Sequence, residues 1–247
     1  MFGGDLESLR RDVEKDNQII GTLQGYNCPK CLNRGYTFEV DEENMREVAV
    51  PCSCLNIRKS IKLANESGLG NLFETKKFRT FVAKEDWQKE LYEKAYKYAT
   101  ERKGSFFVGG NSGSGKTHIC TAIVRQFIMK AVASKYMLWR DESTTLKAIV
   151  NDAAYDDAIK IYKEIECLYI DDFLWGKPTE GDLNLAFEII NARYNRNLPT
   201  IISSEKTIDE ITKMRESLGS RIFEMVGEYN VVTGKDKKRN YRFWRNK

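Results

Sequence analysis

Apolar positions along the 247-residue chain follow two regimes. Up to about Phe78 they are scattered among turn residues and cysteines, and the sequence reads as irregular. Its one clear periodicity is "LNIRKSIKLANESGLG", a helix with Ile57, Ile61 and Ala64 on one side, broken by Gly68 and Gly70. Arg58, Lys59 and Lys62 lie elsewhere on it, so it reads as a linker with a solvated basic face. From about Arg79 onward the periods sharpen. Trp87, Leu91, Ala95 and Tyr98 recur at helical intervals within residues 84–103. "SFFVGG" is a buried strand, a helix runs from Lys116 to about Ala133, and "YMLW" is a short strand. A helical region extends from Glu142 to about Ile165. "CLYIDDF" is strand-like, "TEGDLNLAFEIINARYNRN" a helix capped by Thr179, and "PTIISS" another buried strand. Strands alternating with helices predict an α/β fold, a parallel sheet covered on both faces. The change of regime divides the chain into residues 1–78 and 79–247.

At one strand–helix junction the spacing is chemical. In "FVGGNSGSGKTHICTA", Gly110, Gly115, Lys116 and Thr117 fit G-x-x-x-x-G-K-[ST]. Glycines let backbone N–H groups curl around phosphates without a Cβ clash, and the following helix turns its positive end to the anion. Nucleotide is expected against Gly110, Asn111, Ser112, Gly113, Ser114, Gly115, Lys116, Thr117 and His118. Lys116 would reach the β- and γ-phosphates, and the Thr117 hydroxyl would ligate Mg²⁺. His118, the only histidine, reads as structural rather than catalytic. Such a loop needs a second strand that brings an acid to the magnesium. Cys167, Leu168, Tyr169 and Ile170 form that strand, with Asp171 and Asp172 at the end where open sheets place ligands. Asp171 is the Mg²⁺ candidate and Asp172 the acid that orients or deprotonates an attacking water.

Composition narrows the setting. Hydrophobic residues make up 41% of the chain, enough for a sizeable core. No run of 18 apolar residues suggests a membrane span, and the acidic start does not resemble a signal peptide. Six cysteines lack the spacing of a secreted disulfide framework. A cytoplasmic protein with no membrane partner is expected. Net charge is only +4, from 40 basic and 36 acidic residues. The end, "GKDKKRNYRFWRNK", concentrates charge: Lys237, Lys238, Arg239, Arg242 and Arg245 alternate with Tyr241, Phe243 and Trp244. That mixture suits single-stranded nucleic acid, where cations track phosphates and rings stack on bases. It equally describes a solvated tail whose rings pack on the core.

"YIDDFLWGKPTEGDLNLAFEIINARYNRNLPTIISSE", together with the phosphate loop and the order of parts, resembles the DnaC/DnaI-type replicative helicase loaders, which are AAA+ ATPases. The IstB transposition ATPases are close relatives of that family. The resemblance covers the chain from the cysteine region to near its end. It implies a P-loop AAA+ core with strand order 5-1-4-3-2, flanked by helices, with a reduced or missing C-terminal lid. It implies a sensor at the end of "PTIISS", with Ser203 or Ser204 as candidates, because Glu205 stands where relatives carry asparagine. It implies an arginine finger in "LGSRIFE", which places it at Arg221, on a helical segment expected to break near Gly219. The alternative for Arg221 is a surface ion pair with Glu216 or Glu224. Asp172 is one methylene shorter than the usual glutamate, so hydrolysis is expected to be slow. In the same family, the segment "FETKKFRTF" lines the adenine pocket. Phe78 and Phe81 are candidates for that role or for core packing.

Cys28, Cys31, Cys52 and Cys54 form two close pairs, the first resembling a zinc knuckle with its Gly35. Structural Zn²⁺ is the leading reading, with free thiols and an iron–sulfur cluster as alternatives. Cys120 and Cys167 read as core. By resemblance, the N-terminal part grips a DnaB-type replicative helicase, and ATP-bound protomers self-associate to place it on single-stranded DNA. An IstB-like transposition regulator, a P-loop phosphotransferase and a non-hydrolysing adaptor remain open beside that reading.

Overall fold

A computed structural model of the chain describes residues 6–234, 236 and 239–243. Lys237, Lys238, Trp244 and Arg245 of the basic terminal motif lie outside them. The chain divides into two compact units, Met1–Lys62 and Leu63–Lys247. The division falls ahead of residue 78 because the aromatic residues of "FETKKFRTF" belong to the second unit's packing. Phe78 is buried there, edge-on to Tyr92 and Tyr96.

The first unit is more regular than its sequence suggests. Helix α1 (Leu6–Asn17) precedes an antiparallel hairpin of β1 (Tyr36–Asp41) and β2 (Arg46–Pro51). Residues 36–41 do alternate strictly between apolar and polar side chains, which is the strand signal. Asn17 ties α1 to β1: its amide donates to the Phe38 carbonyl and its side-chain oxygen accepts from the Phe38 N–H, both at 2.9 Å. Helix α2 (Cys54–Glu66) matches the expected linker helix. Its basic face is not uniformly solvated, however. The Arg58 guanidinium donates to the Gln24 carbonyl and, at 2.6 Å, to that of Tyr26. It therefore staples the loop that carries Cys28.

The second unit is built on a five-stranded parallel sheet. Its strands are β3 (Phe106–Gly109), β4 (Ser134–Leu138), β5 (Cys167–Asp171), β6 (Thr200–Ser204) and β7 (Asn230–Val232). They lie in the order β4-β5-β6-β3-β7. Counted from β3 as the first strand, this is the expected 5-1-4-3-2. Phe106, Phe107 and Val108 are buried to 0% exposure, as a central strand covered on both faces requires.

Helices connect the strands: α3 (Gly70–Thr75), α4 (Asp86–Glu101), α5 (Lys116–Met129), α6 (Trp139–Ala148), α7 (Tyr155–Glu164), α8 (Glu180–Asn195), α9 (Ile208–Met214) and α10 (Glu216–Val226). Helix α8 starts where expected, with the Thr179 side chain accepting from the Asp182 N–H and Asp182 returning the bond. One continuous core joins Phe107, Ile170, Ile189, Ile202, Ile211 and Ile222.

Three helical expectations change. Helix α5 stops at Met129, and Ala131 turns left-handed at φ 63°. The helical region 142–165 is two helices, broken where the Asp152 carboxylate accepts from the Ala154 N–H at 2.9 Å. Helix α10 runs unbroken through Gly219. A Cβ there would meet Thr212 Oγ1 at 2.1 Å, so this glycine serves the close approach of α9 and α10 rather than a break.

Candidate functional site

The phosphate-loop residues gather at the C-terminal edge of the sheet, around a cleft of about 670 Å³. Ser112 to His118 line it, together with Phe81, Val82, Asp172, Trp175, Glu205 and Tyr241. Gly115 holds φ 88° immediately before α5, a value that favours glycine, and a Cβ there would meet the Phe81 ring at 2.9 Å. Phe81 thus walls the cleft, whereas Phe78 packs away from it.

Lys116 is only 6% exposed. Its Nζ donates to the carbonyls of Gly110 at 2.9 Å and Asn111 at 2.6 Å. Burial lowers its pKa, opposed by the carboxylates of Glu205, Asp172 and Asp171 in that order. His118 reaches back to the Lys77 carbonyl at 3.0 Å and sits edge-on to Phe81. Burial lowers its pKa as well, so it is neutral around pH 7. It packs the segment before α4 onto the phosphate loop.

Asp171 is buried at the end of β5 and accepts three hydrogen bonds from three elements. Thr117 Oγ1 donates at 3.2 Å from α5, and the Tyr136 hydroxyl at 3.1 Å from β4. Ser203 Oγ donates from β6. Thr117 and Asp171 therefore bring a hydroxyl and a carboxylate together, hard oxygen donors of the kind Mg²⁺ takes. Asp172 follows at φ 53°, its N–H donating to Ser203 Oγ at 3.2 Å. This left-handed turn ends the strand's alternation and leaves Asp172 facing the cleft.

The sensor candidates separate. Ser203 bridges the two acids, while Ser204 donates to the Phe173 carbonyl at 2.7 Å and does not line the cleft. Glu205 does line it. Arg221 lies away from this cleft, on α10. It donates to Asn191 Oδ1 at 2.9 Å and to the Ser217 carbonyl at 2.7 Å, and its guanidinium covers the rings of Phe187 and Tyr194. Glu224 instead accepts from the Tyr194 hydroxyl. Tyr136 escapes the sequence reading, and Tyr241 figures in it as a ring that stacks on bases or packs on the core, not as a residue of this cleft. Tyr136 stands in no motif, and only the pairing of β4 with β5 carries it to Asp171.

In the first unit, the sulfurs of Cys28, Cys31, Cys52 and Cys54 all lie within 4.8 Å of one another. Cys31 and Cys54 are 3.5 Å apart and Cys28 and Cys52 3.8 Å apart, too far for disulfides. Four sulfurs each about 2.3 Å from one tetrahedral ion would sit roughly 3.8 Å apart, so the cage has the right size. The Gly35 N–H donates to Cys31 Sγ at 3.3 Å. Burial pushes the Cys31 thiol up, but this amide and the neighbouring thiols outweigh it and bring it down to about 6. Burial, by contrast, pushes the Cys52 thiol up and, together with Cys31, pushes Cys54 up to about 12, so of these three thiols only Cys31 is held low in the absence of an ion. All six cysteines are unpaired, and Cys120 and Cys167 are core, as expected.

No helix among the described residues is long and apolar enough to cross a membrane. Residues 72–227 match the family model of the bacterial DnaA ATPase domain. The chain is 30% identical over 244 residues to the phage-like element PBSX protein XkdC of Bacillus subtilis (strain 168), covering 92% of this chain and 90% of XkdC. Its fold is similar to that of a DnaC helicase loader (TM-score 0.56, 18% identity, 66% of this chain and 98% of that one). It is also similar to a replication initiator DnaA bound to AMPPCP and single-stranded DNA (TM-score 0.54, 20% identity, 69% of this chain). The chain spans only 53% of that DnaA. With its strand order, its phosphate loop and its paired acids beside that loop, the chain belongs to the bacterial DnaA ATPase-domain family of AAA+ proteins.

Proposed function

We propose that this protein is an ATP-dependent loader that places a ring-shaped replicative helicase on single-stranded DNA. The observation that carries the reading is the pairing of a complete nucleotide site with a separate unit that contributes nothing to it. The cleft is lined entirely by the second unit. The first unit, with its four-thiol cage, is then free to serve as the grip on a partner. A small-molecule phosphotransferase has no use for such an appendage, nor for a second acid aimed at a water.

Lys116 leaves its two carbonyl partners to meet the β- and γ-phosphates. Thr117 and Asp171 hold Mg²⁺, with Tyr136 and Ser203 orienting the carboxylate. Bound Mg²⁺ neutralises developing phosphate charge. Asp172 orients the attacking water, and its short side chain keeps turnover slow. Arg221 reads the γ-phosphate of a neighbouring protomer, so ATP promotes self-association. The cysteine cage holds one structural Zn²⁺, because four thiolates leave no open coordination position.

The test is reconstitution. Full-length protein, ATP and a DnaB-type hexamer should yield helicase bound on circular single-stranded DNA. Protein carrying Lys116→Ala should not. Failure to bind any hexameric helicase, with or without ATP, overturns the loader reading.

A further inference from the structure

The described part of the basic terminal segment packs against the phosphate loop. Residues Thr233 to Phe243 start as the continuation of β7, which pairs with β3 immediately before the phosphate loop. Thr233, only 1% exposed, donates its N–H to the Gly109 carbonyl at 2.8 Å. Its hydroxyl contacts the same carbonyl at 3.2 Å and Ser114 Oγ at 3.1 Å. The Gly234 carbonyl accepts from the Asn111 N–H at 3.0 Å, and the Asp236 carbonyl accepts from the Asn111 amide. The Tyr241 N–H donates to the Gly113 carbonyl at 3.0 Å, and the Tyr241 side chain lines the cleft.

Two loop glycines are explained by the same segment. A Cβ on Gly110 would meet Thr233 Oγ1 at 2.4 Å, and one on Gly113 would meet Asn240 Oδ1 at 1.9 Å. Arg239, the one cation of the motif whose side chain is described, turns inward. It donates to the Thr233 carbonyl at 2.6 Å and lies 5.4 Å from the Trp87 ring.

We infer that this segment is a wall of the nucleotide site: Thr233 and Asn240 are positioning residues that shape the phosphate loop, and Tyr241 contacts the bound nucleoside triphosphate. The loop's backbone N–H groups cradle phosphate only if its carbonyls are held elsewhere. Here the segment holds the carbonyls of Gly109, at the end of β3, and of Gly113; it also takes up the Asn111 N–H, so the anion is left to the N–H groups further along the loop. The resemblance led to the expectation of a reduced or missing lid. In this chain a strap that includes Thr233, Gly234, Asp236, Asn240 and Tyr241 contacts the flank of the loop. Coupling follows in both directions, since anything that pulls the strap away must weaken nucleotide binding, and nucleotide must resist the pull.

The inference rests on the ATP reading above, and its test keeps the two apart. Full-length protein is titrated with a fluorescent ATP analogue in Mg²⁺, with Lys116→Ala as the site control. Thr233→Val keeps the shape and removes the hydroxyl. It should bind about tenfold more weakly, the size of a lost buried hydrogen bond, while Thr233→Ser should bind within about twofold of the parent. Tyr241→Ala should weaken binding several-fold, and Tyr241→Phe should restore it.

The second readout needs no variant. Saturating ATP should slow tryptic cleavage after Arg239 and leave cleavage after Lys15 unchanged. If the parent binds and Lys116→Ala does not, but the Thr233 and Tyr241 variants bind like the parent and ATP leaves Arg239 as sensitive as before, the wall is refuted and the nucleotide site stands. If the parent itself binds no ATP, both fall together.

Discussion

The two units of this chain reach order by opposite means. In the second, a continuous apolar core runs through Phe107, Ile170, Ile189, Ile202 and Ile222, each at most 1% exposed. In the first, the buried cluster is four sulfurs with Tyr26 packed against them. Val13, Ile57 and Ile61 are buried there too, but Ile19 and Ile20 stay 56% and 76% exposed, so only part of the available apolar surface is gathered inside. A unit of this size buries too little apolar surface to offset its own conformational entropy, and the metal proposed for its four-thiol cage would supply the difference. The contrast teaches where function can be placed. A core-built sheet holds a rigid edge for chemistry. A cage-built unit leaves part of its apolar surface outside, available to a partner.

Metal removal breaks the comparison most sharply. Structural zinc contributes on the order of 10 kcal/mol to folding in small domains. Chelation or Cys31→Ser should therefore abolish the order of the first unit, seen as loss of hydrogen-exchange protection over residues 6–62, while nucleotide affinity stays within about twofold. Protein purified in reducing buffer without chelator should carry about one zinc per chain. Protection that survives metal loss would mean the thiols alone suffice.

Arg221→Ala comes next. An arginine finger contributes about 10³-fold or more to turnover, whereas a surface arginine contributes little. The variant should bind ATP, hydrolyse it poorly and fail to associate with other protomers on adding ATP. Mixing it with Lys116→Ala protein should restore part of the activity, because each partner supplies what the other lacks. Stability and metal content should not move. Equal turnover in the variant would leave Arg221 as packing for Phe187 and Tyr194.

A core truncation sharpens the contrast from the other side. Ile189→Ala removes buried methyl and methylene groups and should cost about 2–5 kcal/mol in the second unit, read as a lower thermal midpoint at unchanged zinc content. The smallest effect is expected from Tyr136→Phe, which deletes one of the hydroxyls on Asp171. Nucleotide affinity should weaken only a few-fold, and only in the presence of Mg²⁺. A loss of the same size without Mg²⁺ would make Tyr136 a packing residue.

Periodicity exposed β3 to β6 and the longer helices α4, α5 and α8 because each buries a face, but not the short elements α3, α9 and β7. The phosphate loop and the Asp171–Asp172 pair were legible because glycine, lysine and acid spacing is itself the chemistry. The β1–β2 hairpin was not: residues 36–41 alternate strictly, but the run is short and its partner, Arg46–Pro51, does not alternate. Tyr136 and Thr233 were invisible for another reason. Each acts on the site through a strand pairing distant in sequence, and no local pattern marks a residue for the neighbour it will acquire. Gly219 misled because glycine serves both as a breaker and as a spacer between helices, and only the position of Thr212 tells which.

The pairing of β7 with β3 also sets an order of events in time. Thr233 and Gly109 are 124 residues apart in the chain. During synthesis at about 5–20 residues per second, the phosphate loop leaves the ribosome many seconds before the segment that flanks it. Until then β3 has β6 at most as a neighbour and an open edge on its other side. A nascent chain would thus carry the phosphate loop before the wall that flanks it, and its hold on ATP would tighten as that segment docks on β3.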